Sequence, residues 1–466
     1  MNRAPRACAA AVVHAICVRS RLLASAYGLL LLAGCAGGVS RQDVAAFDTD
    51  LAQGNYPVAA QVAIASGQIA PDGKSNNLAW SLNAGAALVY AGEPAQAVRV
   101  LDGAEDLMKT RDLSSLGNTQ YEYATYDGIM VNAYKGLAFL AAGDRANARV
   151  EFNRVGDRQM RAEEEFAKDK AKLDAQARQR ANGNFDLNAA MMSAQSDQTY
   201  RAVQAELSQY TNYRPFINPA ASYLRALYLL NNADTGSDFE AARSELVRVN
   251  DMVGTNPVVQ ADLALCRAAN KQGKPHTWVV FENGQAPTFV QYNITFPVPV
   301  FGKGGHVGAG AVTVAMPRMV FHAPAATRLA VAAGGAPTWT SSIGDFDRVM
   351  ASEFSRRQPA IMTRVVLEAV LKAALQTAAA QTGNRLVQVV ALVASNVSTA
   401  DTRSWTALPK GFQAARIDTP TDGMVHLTAN GGADLGAIQV PSERPSIIYV
   451  KEMAAGGKPS IQVFPL

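Results

Sequence analysis

An internal repeat places the strongest constraint on the fold of this 466-residue chain. Five positions recur 51 residues later with every internal spacing preserved: Gly85, Leu88, Gly92, Ala97 and Leu101 return as Gly136, Phe139, Gly143, Ala148 and Phe152. A small residue lets two helices approach closely, and a glycine between them supports a tight turn. The pattern therefore predicts pairs of helices joined by short turns, in which the alanine and the large apolar residue pack the second helix onto its neighbours.

These offsets resemble the helix–turn–helix of tetratricopeptide (TPR) repeats. Residues 54–59 resemble the turn and second helix of an earlier unit, and residues 238–246 resemble a later unit that follows an apolar helix from Ala221 to Leu230. The units are irregular in length, so the resemblance implies a degenerate helical solenoid over residues 35–274. The alternative is a generic antiparallel helix bundle that uses small residues at its contacts.

A long polar insertion, residues 156–213, separates two of these units. Its acids and bases are placed four apart, as in Glu164 with Lys168, which is the spacing of helix-stabilising ion pairs. We expect a helix that projects a solvated face and not a ligand site. A break is expected at Gly183-Asn184.

The composition changes near residue 275, where Val, Pro, Gly and Thr become frequent. The runs from Trp278 to Phe281 and from Thr288 to Pro297 flank the turn signal Glu282-Asn283-Gly284, and they predict strands. Residues 275–466 are therefore predicted to form an α+β domain, a small antiparallel β unit with two or three inserted helices.

Two of the inserted helices are predicted in the middle of this region. The first covers Asp345 to Arg357 and should end at Pro359, because proline interrupts helical hydrogen bonding. The second covers Ala360 to Gln381, where polar residues four apart form one narrow stripe along an apolar cylinder. This second helix should be buried on most of its circumference.

The N-terminus resembles a bacterial export signal. Four arginines and no acid precede an apolar run from Leu22 to Leu32, about half of the roughly 20 apolar residues that a membrane-spanning helix needs. The run ends in Ala33-Gly34-Cys35, which resembles the lipobox of bacterial lipoproteins. The resemblance implies a signal peptide over residues 1–34 and lipid on Cys35. An ordinary cleaved signal peptide with a chance cysteine is the alternative.

Cleavage before Cys35 would change the charge and the thiol content of the chain. Removal of the four arginines leaves 39 of the 43 basic residues against 39 acidic ones, so the mature chain is formally neutral. A neutral chain argues against nucleic acid as a partner. Of the four cysteines, only Cys35 and Cys266 remain. With Cys35 acylated, no intrachain disulfide can form, and Cys266 in its apolar stretch is expected to be buried and inert.

No catalytic constellation is apparent, and we predict neither an enzyme nor a bound cofactor or metal ion. The histidines show no zinc-ligand spacing, and no Gly-x-Ser-x-Gly motif occurs. The leading candidates for contact with a partner or ligand are Asp401, Arg403 and Trp405, because an acid, a base and an aromatic ring together can bind a polar group. A buried ion pair with a packed tryptophan is their alternative. Glu282 is a fourth candidate, although the Asn-Gly after it is first a turn signal.

Four segments resemble a family of poorly characterised outer-membrane lipoproteins of Gram-negative bacteria that join TPR-like helices to a C-terminal α+β region. They are residues 150–159, 218–224, 280–284 and 400–409. The resemblance implies an outer-membrane location, which Ala36 supports by analogy with enterobacterial sorting, where aspartate after the cysteine retains a lipoprotein in the inner membrane. It implies no activity.

The leading functional hypothesis is a lipid-anchored, periplasm-facing scaffold or assembly adaptor. The helical solenoid would bind a segment of an envelope protein, while the lipid confines the adaptor to the membrane and raises its effective concentration there. The alternative is a protein that binds or processes glycan or peptidoglycan through the C-terminal domain, and a hydrolase is a third hypothesis. The residues leave open the identity of the partner, the oligomeric state and a periplasmic or surface orientation.

Overall fold

The computed structural model describes residues 41–110, 121–181, 186–267, 274–302, 305–381, 399–429 and 432–466. The predicted signal peptide, Cys35, Ala36 and the break predicted at Gly183-Asn184 lie outside these residues. The chain divides into Met1–Ala45, of which only the first turn of one helix is described, and Ala46–Leu466. Every contact reported below lies within Ala46–Leu466.

The described residues are predominantly helical, with the strands towards the C-terminus, as the sequence predicts. Twelve helices are described: α1 Arg41–Gln53, α2 Tyr56–Ser66, α3 Leu78–Tyr90, α4 Pro94–Thr110, α5 Thr125–Ala141, α6 Arg145–Ala181, α7 Leu187–Gln195, α8 Gln198–Ser208, α9 Pro219–Asn231, α10 Gly236–Val253, α11 Pro257–Arg267 and α12 Phe346–Gln381. The strands are β1 His276–Asn283, β2 Thr288–Gly302, β3 Gly305–Val320, β4 Leu329–Ala332, β5 Thr338–Trp339, β6 Ser341–Asp345, β7 Gly411–Asp418, β8 Met424–Ala429, β9 Asp434–Gln439, β10 Ser446–Glu452 and β11 Ser460–Pro465.

The predicted helix pairs are confirmed at both copies of the repeat. Gly92 connects α3 to α4, and Gly143 connects α5 to α6. Their φ angles are +75° and +76°, in the left-handed region where glycine carries no steric cost. A Cβ added to Gly85 would lie 2.3 Å from the Leu101 side chain, which is fully buried. Glycine at this position therefore permits the close contact between α3 and α4.

Gly85→Ala should lower the free energy of unfolding by about 1–3 kcal/mol, because the added methyl group overpacks against Leu101. Gly236→Ala is the matched control at the first residue of α10, where an added Cβ would meet nothing within 4 Å. It should be neutral or stabilise by ~0.4–1 kcal/mol, because alanine lowers the conformational entropy of the unfolded chain. Urea denaturation followed by circular dichroism measures both, and equal effects would refute the helix contact at Gly85.

Helices α3, α5 and α9 are covered by the C-terminal region. Every residue from Leu78 to Tyr90 is buried, as is every residue from Tyr126 to Ala138. Gln462 donates to the Val89 carbonyl oxygen at 2.7 Å, which ties β11 to the end of α3. The helical part and the strands thus share their packed surfaces, and these three helices present little surface to a partner.

The main sheet is mixed, whereas the sequence analysis predicted an antiparallel one. Its strand order is β11-β10-β1-β7-β6, with β1 parallel to β10 and antiparallel to β7. A parallel pair requires a long crossover, which here is the whole of the chain between β1 and β10. A four-stranded sheet, β5-β4-β8-β9, packs on it across a core that contains Phe281, Leu427 and Ile448.

Helix α12 is continuous, so the predicted division into two helices at Pro359 is wrong. Pro359 lies inside the helix at an exposed position. Only this one inserted helix is described after residue 275; the apolar stretch Leu386 to Ala394 lies outside the described residues. Cys266 on α11 is half-buried and not fully buried as expected.

Strands β2 and β3 form a separate two-stranded ribbon. One face, with Ile294, Phe296 and Met316, packs on α12 and α7. The three prolines of the ribbon all lie in the same alternating set of residue pairs along the two strands. Gln291 pairs with Pro317, Pro297 with Ala311 and Pro299 with Ala309. At these positions the backbone N–H groups point away from the partner strand. Proline there removes hydrogen-bond donors only from the outer edges of the ribbon. Both edges are therefore poor templates for adding a further strand.

Candidate functional site

The structure places Asp401 and Arg403 at the surface and Trp405 in the interior. The Arg403 guanidinium and the Asp401 carboxylate form an ion pair at 2.7 Å with about a third of each side chain exposed. Trp405 is 2% exposed and packs edge-on against Tyr134 of α5, with ring centroids 5.6 Å apart. The three candidates therefore do not form one binding surface, and Trp405 joins residues 399–410 to the helical part.

Glu282, the fourth candidate, is fully buried between β1 and the helices. Its carboxylate accepts hydrogen bonds from the hydroxyl groups of Tyr449 and Tyr134, the latter at 3.3 Å. Lys451 on the neighbouring β10 is also fully buried, with its Nζ 3.9 Å from Glu282 Oε2 and 2.8 Å from the Gly284 carbonyl oxygen. Glu282 thus contacts other parts of its own chain and has no surface for a solute.

Burial shifts the pKa values of both charged groups in this network. Desolvation raises the pKa of Glu282, although Lys451 and the tyrosine hydroxyls act against the shift. Desolvation lowers the pKa of Lys451 to about 8, against the attraction of Glu282. Glu282 and Lys451 lie on adjacent strands of the main sheet, and the hydrogen bond from Tyr134 to Glu282 connects this pair to α5.

An accessible cleft opens between α6 and α12, with a cavity volume of about 140 Å³. Its lining mixes apolar and charged side chains. The apolar lining comprises Ala162, Phe166, Leu173, Ala360 and Ile361, and the charged lining comprises Glu122, Arg158, Glu165, Asp169, Lys170, Glu353, Arg357 and Arg364. Four acids and four bases leave the lining close to neutral, so the cleft suits a dipolar or apolar group better than a strongly charged one.

The helical periodicity of α6 and α12 builds the two walls of the cleft. On α6 the lining residues from Arg158 to Leu173 fall on one face, and on α12 those from Glu353 to Arg364 do the same. The helices touch farther along, where Leu173 packs near Leu367. The start of α5 lies at the other end. Because this face of α6 packs towards α12, the polar insertion predicted at residues 156–213 is not exposed to solvent on all sides.

Glu353 fixes the closed end of the cleft. Its two carboxylate oxygens accept hydrogen bonds from the backbone amides of Thr125 at 2.6 Å and Tyr126 at 3.2 Å. These amides belong to the first turn of α5, which has no intrahelical partner for them. Burial raises the pKa of Glu353, while Arg357 and these amides act to lower it. The carboxylate thus caps α5 and joins it to α12.

The guanidinium groups of the α12 wall lie against a carboxylate from the segment that precedes α5. Arg364 forms an ion pair with Glu122, and a guanidinium nitrogen of Arg357 lies 3.7 Å from the same carboxylate. Arg357 also donates to the Tyr123 carbonyl oxygen at 3.2 Å. The α12 wall is therefore a site at which this chain already binds a carboxylate.

None of the four predicted contact residues lines the cleft. The sequence feature that came nearest to predicting the cleft was the polar stripe on α12, which begins at Arg364. The stripe indicates a polar contact along a largely buried helix, but not which element supplies it. Glu122 lies more than 200 residues earlier in the chain, as the sequence separation of 242 from Arg364 shows.

Comparison with known proteins gives no match. No protein-family model, no curated protein and no solved structure matches the chain. Among the described residues, no helix is long and apolar enough to cross a membrane, and no group of three His, Cys, Asp or Glu side chains is placed to hold a metal ion.

Proposed function

We propose that the protein is a lipid-anchored, periplasm-facing adaptor of the outer membrane that holds an envelope protein through its helical part. The cleft between α6 and α12 carries the proposal, because it is an accessible concave site whose lining combines apolar and charged side chains, as the binding surfaces of protein interfaces do. The covered faces of α3, α5 and α9 leave this cleft as the place where the helices meet a partner segment.

The repeat geometry supports a TPR-like helical domain over residues 35–274, followed by a C-terminal domain over residues 275–466. Both copies of the repeat place glycine where the two helices of a unit touch and again in the turn between them. A generic helix bundle would not require the same offsets twice. The helical domain would bind the partner protein, and the C-terminal domain would pack against the helices and fix their positions.

The lipid anchor is proposed from the sequence around Cys35. Cys35→Ser should abolish incorporation of labelled palmitate and release the protein from the membrane fraction, because the cysteine sulfur is the attachment atom. Cys266→Ser is the matched control and should leave both unchanged. Palmitate labelling of Cys35→Ser at the level of the parent chain would refute the anchor.

The adaptor role is tested by crosslinking in the intact envelope. A photoreactive amino acid at position 169, on the α6 wall, should form a reproducible adduct with one envelope protein. The same group at the exposed position 247 on α10 is the control, since it lies outside the cleft lining. Failure of every cleft position to give a reproducible protein adduct would overturn the adaptor.

A glycan-binding function is the second candidate, and Trp339 favours it. Trp339 on β5 is 38% exposed, and the Arg328 guanidinium lies 4.0 Å from its ring centroid. An exposed tryptophan offers a flat apolar face with a polar edge, which suits a sugar ring. Trp339→Ala in the full chain should then reduce cosedimentation with sacculi, and unchanged cosedimentation would remove this candidate.

A further inference from the structure

We propose that the β2–β3 ribbon inserts one end into the membrane–water interface, which gives the protein a second contact with lipid besides its anchor. The ribbon end comprises Pro297–Gly302 of β2 and Gly305–Ala311 of β3. The proposal rests on the lipid anchor of the proposed function and adds a membrane contact to it. Three features of the ribbon carry it: a change of residue pattern along the strands, the prolines on the edges and the lack of acidic residues.

The base of the ribbon has one apolar face and one polar face. Successive residues of a strand point to opposite faces. Ile294 and Phe296 occupy the face that packs on α12 and α7, whereas Asn293 and Thr295 occupy the other face and are exposed. This alternation is typical of antiparallel strands with one face on a core and the other in water.

The polar face stops where the ribbon end begins. From position 297 every residue of β2 is aliphatic, aromatic, proline or glycine: Pro297, Val298, Pro299, Val300, Phe301 and Gly302. Residues 305–311 of β3 are glycine, alanine or valine apart from His306. Pro297 and Ala311, which pair at the start of this stretch, are both exposed. The positions on both faces of the ribbon end thus suit an apolar surrounding better than water.

The length of the ribbon end suits the interface and not the full bilayer. At about 3.3 Å per residue, the stretch from Pro297 to Gly302 covers about 20 Å, less than the roughly 30 Å of the hydrocarbon core. An open strand edge does not occur within that core, because its backbone groups would lack partners. We therefore place the ribbon end at the boundary of head groups and acyl chains, about 5–10 Å deep, where water still reaches the strand edges.

The edges of the ribbon favour lipid over a second copy of the chain. Pro297 and Pro299 occupy positions of β2 at which the backbone N–H groups would point away from β3. A further strand has no donor to pair with at these positions, which disfavours pairing between the edges of two copies. The missing donors also lower the cost of placing this edge in an apolar surrounding.

The charge of the ribbon is compatible with anionic lipid. Neither β2 nor β3 contains aspartate or glutamate. Their basic residues are His306 in the ribbon end and Arg318 at the base, where Arg318 forms an ion pair with Glu206 of α8 at 2.8 Å. The ribbon end therefore brings no negative charge towards the anionic head groups, which would repel one.

A fluorescent label at the ribbon end tests the contact. The chain with Cys266→Ser and Phe301→Cys is purified from the envelope, labelled with the dye NBD at position 301 and reconstituted into phosphatidylethanolamine–phosphatidylglycerol vesicles. Lipid carrying a nitroxide near the head group should quench the emission at 301 about two-fold or more, because an interfacial label lies at that depth. The matched control is Thr295→Cys in the same background, labelled on the polar face of the base, where quenching should be slight.

Two results with this label would overturn the proposal. Equal quenching at positions 295 and 301 would mean that the ribbon end has no preferred contact with lipid. A blue-shifted emission at 301 that the nitroxide lipid does not quench would mean that protein, such as a second copy of the chain, covers the ribbon end. Cys266→Ser without a further cysteine measures labelling at any other thiol.

A charge placed in the ribbon end gives an independent readout. Val300→Asp should abolish the quenching at 301, because a carboxylate is costly to transfer from water to an apolar surrounding. Asn293→Asp is the matched control on the same strand. It adds the same charge at the exposed base and keeps the oxygen that accepts from Gln291 at 3.1 Å. An equal loss of quenching in both variants would refute insertion of the ribbon end.

The fate of the ribbon contact is distinguishable from that of the anchor. If Cys35 incorporates palmitate and position 301 is not quenched, the ribbon contact fails and the anchor stands. If Cys35 incorporates no palmitate and position 301 is quenched in the vesicles, the ribbon contact stands and the anchor fails.

Discussion

Glu282→Ala should lower the free energy of unfolding by about 3–5 kcal/mol, the cost of leaving one partner of a buried ion pair uncompensated. Lys451 would remain fully buried without its carboxylate, and the hydroxyl groups of Tyr134 and Tyr449 would lose their acceptor. Urea denaturation at pH 7 measures the loss. A change below about 1 kcal/mol would contradict the role assigned to the network.

The double substitution Glu282→Gln with Lys451→Met is the matched control. It removes both charges, keeps a hydrogen-bonding group for the tyrosines, and should be more stable than Glu282→Ala. Lys451 provides a second readout, because its folded pKa of about 8 lies below the unfolded value. The unfolded state therefore binds more protons between pH 8 and about 10.5, so this group adds stability as the pH rises through that window. The double variant should lose this rise.

The helix pairs were predictable from sequence because their signal is local. Gly85 and Leu101 lie 16 residues apart, and the turn at Gly92 between them needs a left-handed residue. Two copies of this arrangement are enough to predict where the helices turn and touch. The same pattern does not show what covers α3 and α5, since nothing in it refers to β11 or to Trp405.

The cleft was not predictable because its parts come from distant regions of the chain. Arg364 meets Glu122, and Glu353 meets the amides of Thr125 and Tyr126, across separations of more than 220 residues. Pro359 also led the prediction to two helices where one exists, because the local cost of a proline does not show how far the packing of α12 on α6, α7 and the ribbon stabilises a continuous helix. Glu282 attracted attention as a lone carboxylate, while its partner Lys451 lies 169 positions away on a parallel strand that local spacing cannot reveal.

Asp127 should lower the free energy of unfolding by about 3 kcal/mol as the pH rises from 5 to 8. Asp127 is fully buried at the first turn of α5, and desolvation raises its pKa from 3.8 to about 7. Its folded form therefore keeps a proton that the unfolded chain has lost above pH 4. Asp262 and Asp347, each with a pKa raised to about 6, act in the same direction.

Asp127→Asn should remove the Asp127 contribution while keeping the hydrogen bonds. One oxygen accepts from the Ala124 amide and the Tyr121 hydroxyl, both at 2.8 Å, and an amide oxygen can take its place. The other oxygen has no hydrogen-bond partner among the described residues, so an amide nitrogen there meets no donor. Asp144→Asn is the control at the start of α6, because this exposed carboxylate has a lowered pKa and is ionised throughout the range. The difference between the unfolding free energies at pH 5 and pH 8 should shrink by about 3 kcal/mol in Asp127→Asn and stay unchanged in Asp144→Asn; parallel profiles for the two variants would refute the contribution assigned to Asp127.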